Sequence, residues 1–228
     1  MLRRVLAPLH PDGLKFILAA LIATLLLFFA WPAVGWVAAI VTLWMVYFFR
    51  DPWRVSPHRD GLLVSPADGI VMSVAPARPP PELGMDDADF VRIGIFLNIF
   101  DVHVTRAPIG GRVVALRYRK GRFVDASRDE ASLNNEHMAI RLAPETGPEI
   151  AYVQIAGLVA RRIVCDLREG QSIATGQRMG IIRFGSRVDV YCPPPYVTMV
   201  AAGQRMIGGE TVIADRLAHE PPRQGVAH

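Results

Sequence analysis

The sequence predicts a mainly β protein that begins with a hydrophobic helical hairpin, and two observations lead to this fold class. Residues 16–49 are almost wholly apolar, and from about residue 61 the pattern changes to short apolar or β-branched runs separated by Gly and Pro. Many short strands with turn signals are typical of a sandwich or a partly closed barrel. No long amphipathic helix pattern follows residue 60, and a length of 228 residues suits one domain plus an appendage.

The composition favours a lipid partner over a nucleic acid. Apolar residues make up 51% of the chain, with the excess at the N-terminus, and the net charge is +4. A basic protein with an apolar end suits an anionic lipid surface, and no run of Lys or Arg interleaved with aromatic residues suggests nucleic-acid binding. Cys165 and Cys192 lie far apart without metal-ligand spacing, which predicts reduced thiols in strands, a cytosolic compartment and no metal site.

Residues 1–54 are predicted to form a membrane-associated helical hairpin. A single helix over the apolar run would be about 50 Å long, whereas the hydrocarbon core of a bilayer is about 30 Å thick. Pro32 and Gly35 interrupt the run, so we expect two short helices joined at a tip around residues 31–36. Each arm would reach about 25 Å, enough to span the bilayer thinly or to dip into it. A cleaved signal peptide and a buried core helix pair are the alternatives.

Basic residues at both outer ends of the hairpin predict its orientation. These residues are Arg3, Arg4, Lys15, Arg50 and Arg54. A hairpin puts both ends on one side of the membrane, and the positive-inside rule makes that side cytoplasmic. The predicted location is therefore the cell membrane, with the rest of the chain on its cytoplasmic face.

A β-rich domain is predicted over residues 55–219, followed by a polar, disordered tail over residues 220–228. Gly176-Gln-Arg-Met-Gly180 is echoed by Gly203-Gln-Arg-Met-Ile-Gly208, and such echoes occur in the barrel-sandwich-hybrid domains of lipoyl and biotinyl carriers. The predicted β domain is therefore barrel-sandwich-hybrid-like, although no lysine stands at a hairpin tip and carrier function is disfavoured. Strands are predicted at residues 61–65, 69–74, 91–97, 113–119, 138–142, 150–155, 163–167, 178–182 and 188–191.

Two polar clusters in the β region could carry chemistry. Asp68 stands in Ser65-Pro-Ala-Asp-Gly69, which is either an ordinary turn or a turn that holds a carboxylate at a strand entrance, where it could orient an imidazole. His103 lies between valines on a predicted strand, with Asp101 on the same face and Arg106 just ahead of a Pro turn. A histidine in this setting is either a hydrogen-bonded structural residue or a catalytic acid–base.

The stretch Arg183-Phe-Gly-Ser-Arg187 is predicted to be a tight break between two strands, because apolar and β-branched residues flank it on both sides. Gly185 leaves its carbonyl unshielded, and Ser186 places a hydroxyl one residue downstream. The pair is either a plain turn or, with a base and a carboxylate nearby, a nucleophile. It lacks the Gly-x-Ser-x-Gly elbow, which disfavours an α/β-hydrolase.

Five ordered motifs span nearly the whole chain. They are Phe48-Phe-Arg-Asp-Pro52; Pro66-Ala-Asp-Gly69; Phe100-Asp-Val-His-Val104 with Arg106-Ala-Pro108; Gln154-Ile-Ala-Gly157 with Ala160-Arg-Arg-Ile163; and Arg183-Phe-Gly-Ser-Arg-Val-Asp-Val-Tyr191. Together they resemble the phosphatidylserine decarboxylase family in its short bacterial and archaeal form (type A). Five motifs in order are much more specific than any one of them.

This resemblance implies a proenzyme that cuts itself between Gly185 and Ser186. The products would be a β chain, residues 1–185, and an α chain, residues 186–228, which stay together as a heterodimer; a higher oligomer is left open. Ser186 would attack the Gly185 carbonyl, and the ester formed would eliminate to dehydroalanine and hydrolyse to a covalent pyruvoyl cofactor. Asp68 and a histidine would form a triad with Ser186 for this step.

The resemblance also implies the reaction of the mature enzyme. The pyruvoyl group would form a Schiff base with the amine of phosphatidylserine, an anionic phospholipid of the membrane. Loss of CO2 and return of a proton by His103 as general acid would then give phosphatidylethanolamine, a step of phospholipid biosynthesis.

One position departs from the resemblance. Longer members of the family carry two histidines three residues apart where this chain has His103 and Arg106. The base that activates Ser186 is therefore left open, and Arg106 could instead bind the lipid phosphate or the substrate carboxylate. The alternative functions are a pyruvoyl decarboxylase of another amino-headgroup lipid and a membrane-tethered β-sandwich binding module without chemistry.

Overall fold

The computed structural model describes residues 7–85, 89–121, 135–157, 162–183 and 185–226, and its internal contacts divide the chain into an N-terminal unit, Met1–Trp53, and a β unit, Arg54–His228. The helices are α1 (Pro11–Ala30) and α2 (Pro32–Phe48). The strands are β1 (Leu62–Val64), β2 (Gly69–Pro76), β3 (Val91–Leu97), β4 (Val104–Arg106), β5 (Gly111–Arg119), β6 (His137–Ala143), β7 (Ile150–Ala156), β8 (Ile163–Cys165), β9 (Ser172–Ile173), β10 (Arg178–Ile182), β11 (Ser186–Cys192), β12 (Val197–Thr198), β13 (Arg205–Met206) and β14 (Val212–Asp215).

The N-terminal unit is the predicted pair of apolar helices. Each helix starts with a proline, a residue whose fixed φ suits the first helical position, and Trp31 alone separates them. Thr24 and Thr42 share a buried hydrogen bond of 2.9 Å between their hydroxyls, which joins the two helices where they pack. By length and composition, α1 is long and apolar enough to cross a membrane, and α2 is a shorter apolar helix.

The described residues of the β unit form three antiparallel sheets. The largest has eight strands in the order β13-β2-β3-β11-β7-β6-β5-β9, and the two others have the orders β1-β14-β12 and β4-β10-β8. The prediction of a mainly β protein behind a hydrophobic helix pair is therefore confirmed. The sequence pattern missed β4, β9, β12, β13 and β14, since two to four residues are too few to show an alternation of apolar and polar side chains.

Strand β11 lies inside the large sheet, between β3 and β7, and all seven of its residues are buried. Val188 and Val190 face the larger hydrophobic core, whereas Tyr191 belongs to a second cluster on the opposite face. On that second face the Arg187 Nε lies 2.6 Å from Asp189 Oδ1, with both side chains fully buried. Gly94 provides the space, because a Cβ added there would lie 2.9 Å from Arg187 Nη2.

The predicted break before β11 is confirmed, with two corrections to the surrounding strands. The strand begins at Ser186, two residues earlier than predicted, so Arg187 is part of it. The prediction that His103 lies on a strand is wrong, because β3 ends at Leu97 and β4 begins at Val104. His103 instead lies in the loop between them, directly before β4, and its carbonyl oxygen accepts from Ile182 N–H at 3.2 Å.

Gly69 of β2 lies close against the backbone of β3, and it gives a test of the fold. An added Cβ would lie 2.2 Å from the Phe96 carbonyl oxygen, at a backbone φ of +156°. We expect Gly69→Ala to lower the free energy of unfolding by about 3 kcal/mol or more, because backbone strain and overpacking add. Denaturant unfolding of the full chain in detergent measures this loss.

Gly170→Ala is the matched control for Gly69→Ala. Gly170 also has a positive φ, +81°, but a Cβ there would meet no heavy atom of the described residues within 4 Å. We expect Gly170→Ala to lower the free energy of unfolding only by the cost of a left-handed backbone for alanine, about 1–2 kcal/mol. Equal losses for the two variants would contradict the close approach of β2 and β3.

Candidate active site

Ser186 lies at a junction between two strands of the large sheet. As the first residue of β11, it pairs with Leu97 of β3 and with Ala156 of β7. The residue is fully buried, and its hydroxyl has no hydrogen-bond partner among the described residues. A buried hydroxyl without a partner costs about 1–3 kcal/mol, and such groups are exceptions that call for an explanation such as a catalytic role.

The Gly185 backbone carries a specific contact on each side. Gly185 adopts a φ of +73°, which favours glycine, and a Cβ added there would meet no described heavy atom within 4 Å. Its N–H donates to His103 Nε2 at 3.2 Å, and its carbonyl oxygen accepts from Gly157 N–H at 3.2 Å. Gly185 therefore has an imidazole at its N–H, in the peptide group before the Gly185–Ser186 bond, and a donor that polarises the carbonyl of the Gly185–Ser186 bond itself.

His103 is fully buried and is oriented by its own loop. Its Nδ1 lies 3.0 Å from the Asp101 carbonyl oxygen, so Nδ1–H donates there and leaves the Nε2 lone pair for the Gly185 N–H. Asp101 is itself fixed, since its carboxylate accepts from Asn98 N–H at 2.9 Å and from Arg205 Nη2 at 2.6 Å. The geometry thus gives a neutral imidazole with its basic nitrogen one residue away from the Ser186 hydroxyl.

Asp68 lies at the predicted strand entrance, one residue before β2, and its carboxylate is bound by groups other than His103. Arg54 Nη2 donates to both of its oxygens, at 2.9 and 2.7 Å, and Gly208 N–H donates to Oδ1 at 2.8 Å. Burial raises the pKa of Asp68, Arg54 partly offsets this, and the Asp101 charge adds to the rise. No hydrogen bond joins Asp68 to His103 in the described part of the chain, so its place in a triad stays a prediction.

Arg106 is a buried residue at the end of β4. Its Nη1 donates to the Gly176 carbonyl at 3.1 Å, and its backbone N–H donates to the Pro66 carbonyl at 2.8 Å. Gly209 packs against its side chain, because a Cβ added there would lie 2.9 Å from Arg106 Cδ. These contacts hold the guanidinium at the turn before β10, and its role in substrate binding stays a prediction.

The comparison with known proteins places this site in a family. A family model described as phosphatidylserine decarboxylase matches residues 41–214. The chain belongs to the phosphatidylserine decarboxylase family. The resemblance read from the five motifs is therefore confirmed.

Curated relatives of this family match the chain over nearly its whole length. The chain is 51% identical over 227 residues to the phosphatidylserine decarboxylase proenzyme of Cereibacter sphaeroides, covering 100% of this chain and 98% of that protein. It is 51% identical over 218 residues to the proenzyme of Paramagnetospirillum magneticum, covering 96% and 91%. It is 52% identical over 210 residues to that of Ruegeria pomeroyi, covering 92% and 96%.

Sequence reasoning missed three contributors to the site of this family member. Gly157 supplies the N–H that meets the Gly185 carbonyl, and its place in the Gln154–Gly157 motif was the signal available. The other two contributors are the backbone carbonyl of Asp101, which contacts His103, and Arg54, which pairs with Asp68. Neither left such a signal, because main-chain acceptors and distant ion pairs have no sequence pattern. Two motif segments, residues 158–161 and 184, lie outside the described residues.

The environment of Asp68 yields a prediction on pH and stability. In the fold the Asp68 pKa is raised above 3.8, and Arg54 is the group that opposes the rise. Arg54→Gln raises this pKa further, so the variant loses stability as pH rises through it. At pH 3, where Asp68 is protonated, we expect the variant and the wild type to have nearly the same free energy of unfolding. At pH 7, where a buried carboxylate loses its partner, we expect the free energy of unfolding of the variant to be lower by about 2–4 kcal/mol. Urea unfolding at several pH values measures the difference.

Arg59→Gln is the matched control for this measurement. Arg59 also pairs with an aspartate, Asp215, but its side chain is 48% exposed. An exposed pair contributes about 1 kcal/mol or less, so the loss should be small. A loss for Arg54→Gln that does not change with pH would contradict the assignment of Asp68 as the group that responds.

Proposed function

We propose that this protein decarboxylates phosphatidylserine to phosphatidylethanolamine and CO2, using a pyruvoyl group made from its own Ser186. The observation that carries the proposal is the Gly185–Ser186 bond, with Gly157 N–H on its carbonyl and His103 on the N–H of Gly185, in a chain of this family. The curated relatives are named proenzymes, which supports a processing step before activity.

The first step of the proposed processing exchanges an amide for an ester. Ser186 Oγ attacks the Gly185 carbonyl carbon, the bond from that carbon to the nitrogen of residue 186 breaks, and the nitrogen leaves as an amine. His103 takes the hydroxyl proton through Nε2 and passes it to the departing nitrogen, after a small shift of the ring from Gly185 N–H. Gly157 N–H stabilises the negative charge on the carbonyl oxygen, as oxyanion donors do. The absence of a side chain on Gly185 keeps the attacked carbon uncrowded.

The second step separates the two chains. A base removes the α-hydrogen of residue 186, and the Gly185 carboxylate leaves from its β-carbon, so residue 186 becomes dehydroalanine. Water then replaces the nitrogen, ammonia departs, and a pyruvoyl group stands at the head of an α chain of residues 186–228. The β chain, residues 1–185, ends at Gly185 and remains paired with it as a heterodimer.

The surroundings of residue 186 fit such a group. Its hydroxyl oxygen makes no hydrogen bond to the described residues, so its departure with the Gly185 carboxylate breaks none, and the space beside Gly185 is open. The pyruvoyl carbonyl supplies an electrophile for the substrate amine and accepts the electrons released with CO2. The site lies in a buried region, which limits the access of bulk water to it.

The remaining residues of the site are assigned by their chemistry. His103 returns a proton to the substrate α-carbon, because its Nε2 lies within 3.2 Å of Gly185 N and therefore beside residue 186. Asp68 contributes a carboxylate near the loop that carries His103, and the contribution of the Asp101 charge to the raised pKa of Asp68 supports this position. Arg106 is the candidate for an anionic group of the substrate, since a guanidinium can bind a carboxylate or phosphate with two hydrogen bonds.

We also propose a location for the enzyme at the cytoplasmic face of the cell membrane. The N-terminal residues 1–54 form its membrane segment, residues 55–219 the catalytic domain, and residues 220–228 a tail. The supporting observation is α1, a helix of 20 residues that contains an 18-residue window with a mean hydropathy of 2.4. The basic residues at both ends of the helix pair favour the cytoplasmic side.

Ser186→Ala tests the origin of the pyruvoyl group. We expect the wild-type chain to run as two fragments on a denaturing gel, with an α chain that resists Edman degradation because it lacks an amino terminus. The variant should remain one chain of 25.1 kDa and release no CO2 from phosphatidylserine vesicles. Wild-type protein that stays uncut would overturn the proposal, and activity on free serine but not on the lipid would overturn the substrate.

His103→Gln tests the proposed base. Loss of a general base slows a reaction by about 10²–10⁴-fold, so we expect the fraction of cut chain to rise at least 100-fold more slowly on a time course of gels. The matched control is His137→Gln, which alters another buried histidine, bonded to Glu82 at 2.7 Å and to the Asn135 carbonyl at 3.1 Å. Normal cutting of the His103 variant would rule out this histidine as the base.

A further inference from the structure

The loop between β3 and β4 connects two residues of the candidate site. Leu97, the last residue of β3, pairs with Ser186, and His103 follows the loop and contacts Gly185. Between them the chain exposes two large apolar side chains, Ile99 at 43% and Phe100 at 58%. We call these two residues the apolar tip. They are exposed at a place where water-facing loops usually carry polar residues.

The backbone under the apolar tip is held by several hydrogen bonds. Asp101 N–H donates to the Asn98 carbonyl at 2.9 Å, and Phe100 N–H donates to Asn98 Oδ1 at 2.8 Å. The Asp101 carboxylate accepts from Asn98 N–H at 2.9 Å. The loop is therefore a built turn that presents its apolar side chains outward.

The surface beside the apolar tip also exposes an apolar side chain and carries a basic one. Ile70 of β2 pairs with Phe96 and with Arg205, and the Ile70 side chain is 40% exposed. The Arg205 side chain is 64% exposed, although one of its nitrogens donates to Asp101 under the tip. An apolar projection next to a basic side chain is the composition of segments that enter the headgroup layer of anionic membranes.

We propose that the apolar tip inserts into a bilayer of anionic phospholipid and holds the opening of the active site at the level of the lipid headgroups. This inference rests on the proposed function, in which the substrate is itself a lipid of that bilayer. Ser186 is fully buried, so a headgroup must be brought to it. The tip lies two or three residues from Leu97 and three or four from His103, which places its Cα atoms within about 14 Å of each.

The depth of insertion matches what the reaction needs. Apolar side chains of interfacial segments enter about 5–10 Å into the boundary between headgroups and acyl chains. A tip at that depth brings residues about 10 Å away along the chain, including His103, to the plane of the serine headgroups. The lipid then needs to be lifted only slightly out of the membrane, and Arg205 can face the phosphate layer.

A double variant, Ile99→Ser with Phe100→Ser, tests the apolar tip because it leaves Asn98 and Asp101, which fix the turn, unchanged. Activity of the full chain is measured as CO2 release from two substrates: phosphatidylserine in phosphatidylcholine vesicles, and dihexanoyl phosphatidylserine dissolved below its micelle concentration. We expect kcat/KM to fall about tenfold or more on vesicles and to change less than about twofold on the dissolved lipid. Self-cleavage should be normal.

Leu217→Ser is the matched control. Leu217 is a large apolar residue, 47% exposed, next to Arg216, which contacts the turn at Thr146 at the other end of β7 from Ala156. It should leave both rates unchanged. Equal activity of the double variant and wild type on vesicles would overturn the inference, and so would an equal fall on both substrates, since that would show a role inside the site.

A second measurement does not depend on activity, so failure of the proposed function and failure of this inference are distinguishable. Phe100→Cys in a Cys165→Ser background carries an environment-sensitive fluorophore in the full chain, reconstituted into phosphatidylserine-containing nanodiscs. We expect a blue shift and quenching by lipids brominated near the headgroup, and neither for Leu217→Cys. A water-like spectrum at position 100 would overturn the inference, whereas an uncut or inactive wild type would overturn only the proposed function.

Discussion

The structure depends on β11 being enclosed on both edges and on both faces. Its backbone pairs with β3 and β7, and its side chains face two separate hydrophobic clusters. A strand in that position has no route to water, so every polar side chain on it must find a protein partner. Arg187 and Asp189 satisfy this requirement through each other, within space that Gly94 leaves open. Ser186 is the exception, and the exception coincides with the residue where chemistry is proposed.

Sequence patterns predicted the long strands and the break before Ser186 because those features are local. An apolar run bounded by Gly or Pro identifies β3, β7 or β10 without knowledge of neighbours. The short strands and the loop that holds His103 are set by tertiary contacts instead. His103 stands between two valines and looks like strand, yet its ring is positioned by the carbonyl of Asp101 and its backbone is tied to Ile182. Neither contact has a signature in sequence spacing.

The charges near the site are arranged in separate pairs, so the carboxylate of Asp68 and the imidazole of His103 have different hydrogen-bond partners. Asp68 is held by Arg54, and Asp101 is held by Arg205. Each carboxylate thus has its own cation, and a main-chain carbonyl orients the imidazole of His103. A neutral acceptor stabilises a charged imidazolium less than a carboxylate would, so the ring is suited to taking a proton briefly and passing it on.

The position of the proposed cut follows from the same enclosed strand. The ladder of β11 begins at Ser186, whereas Gly185 contributes only its contacts to Gly157 and His103. Breaking the bond between them removes no pairing of β11, so the new chain end stays where seven paired and buried residues hold it. A cut one or two residues later would fall inside the ladder and separate the reactive group from its anchor. A self-made cofactor at the first residue of a buried strand therefore keeps both its position and its isolation from water after the backbone is broken.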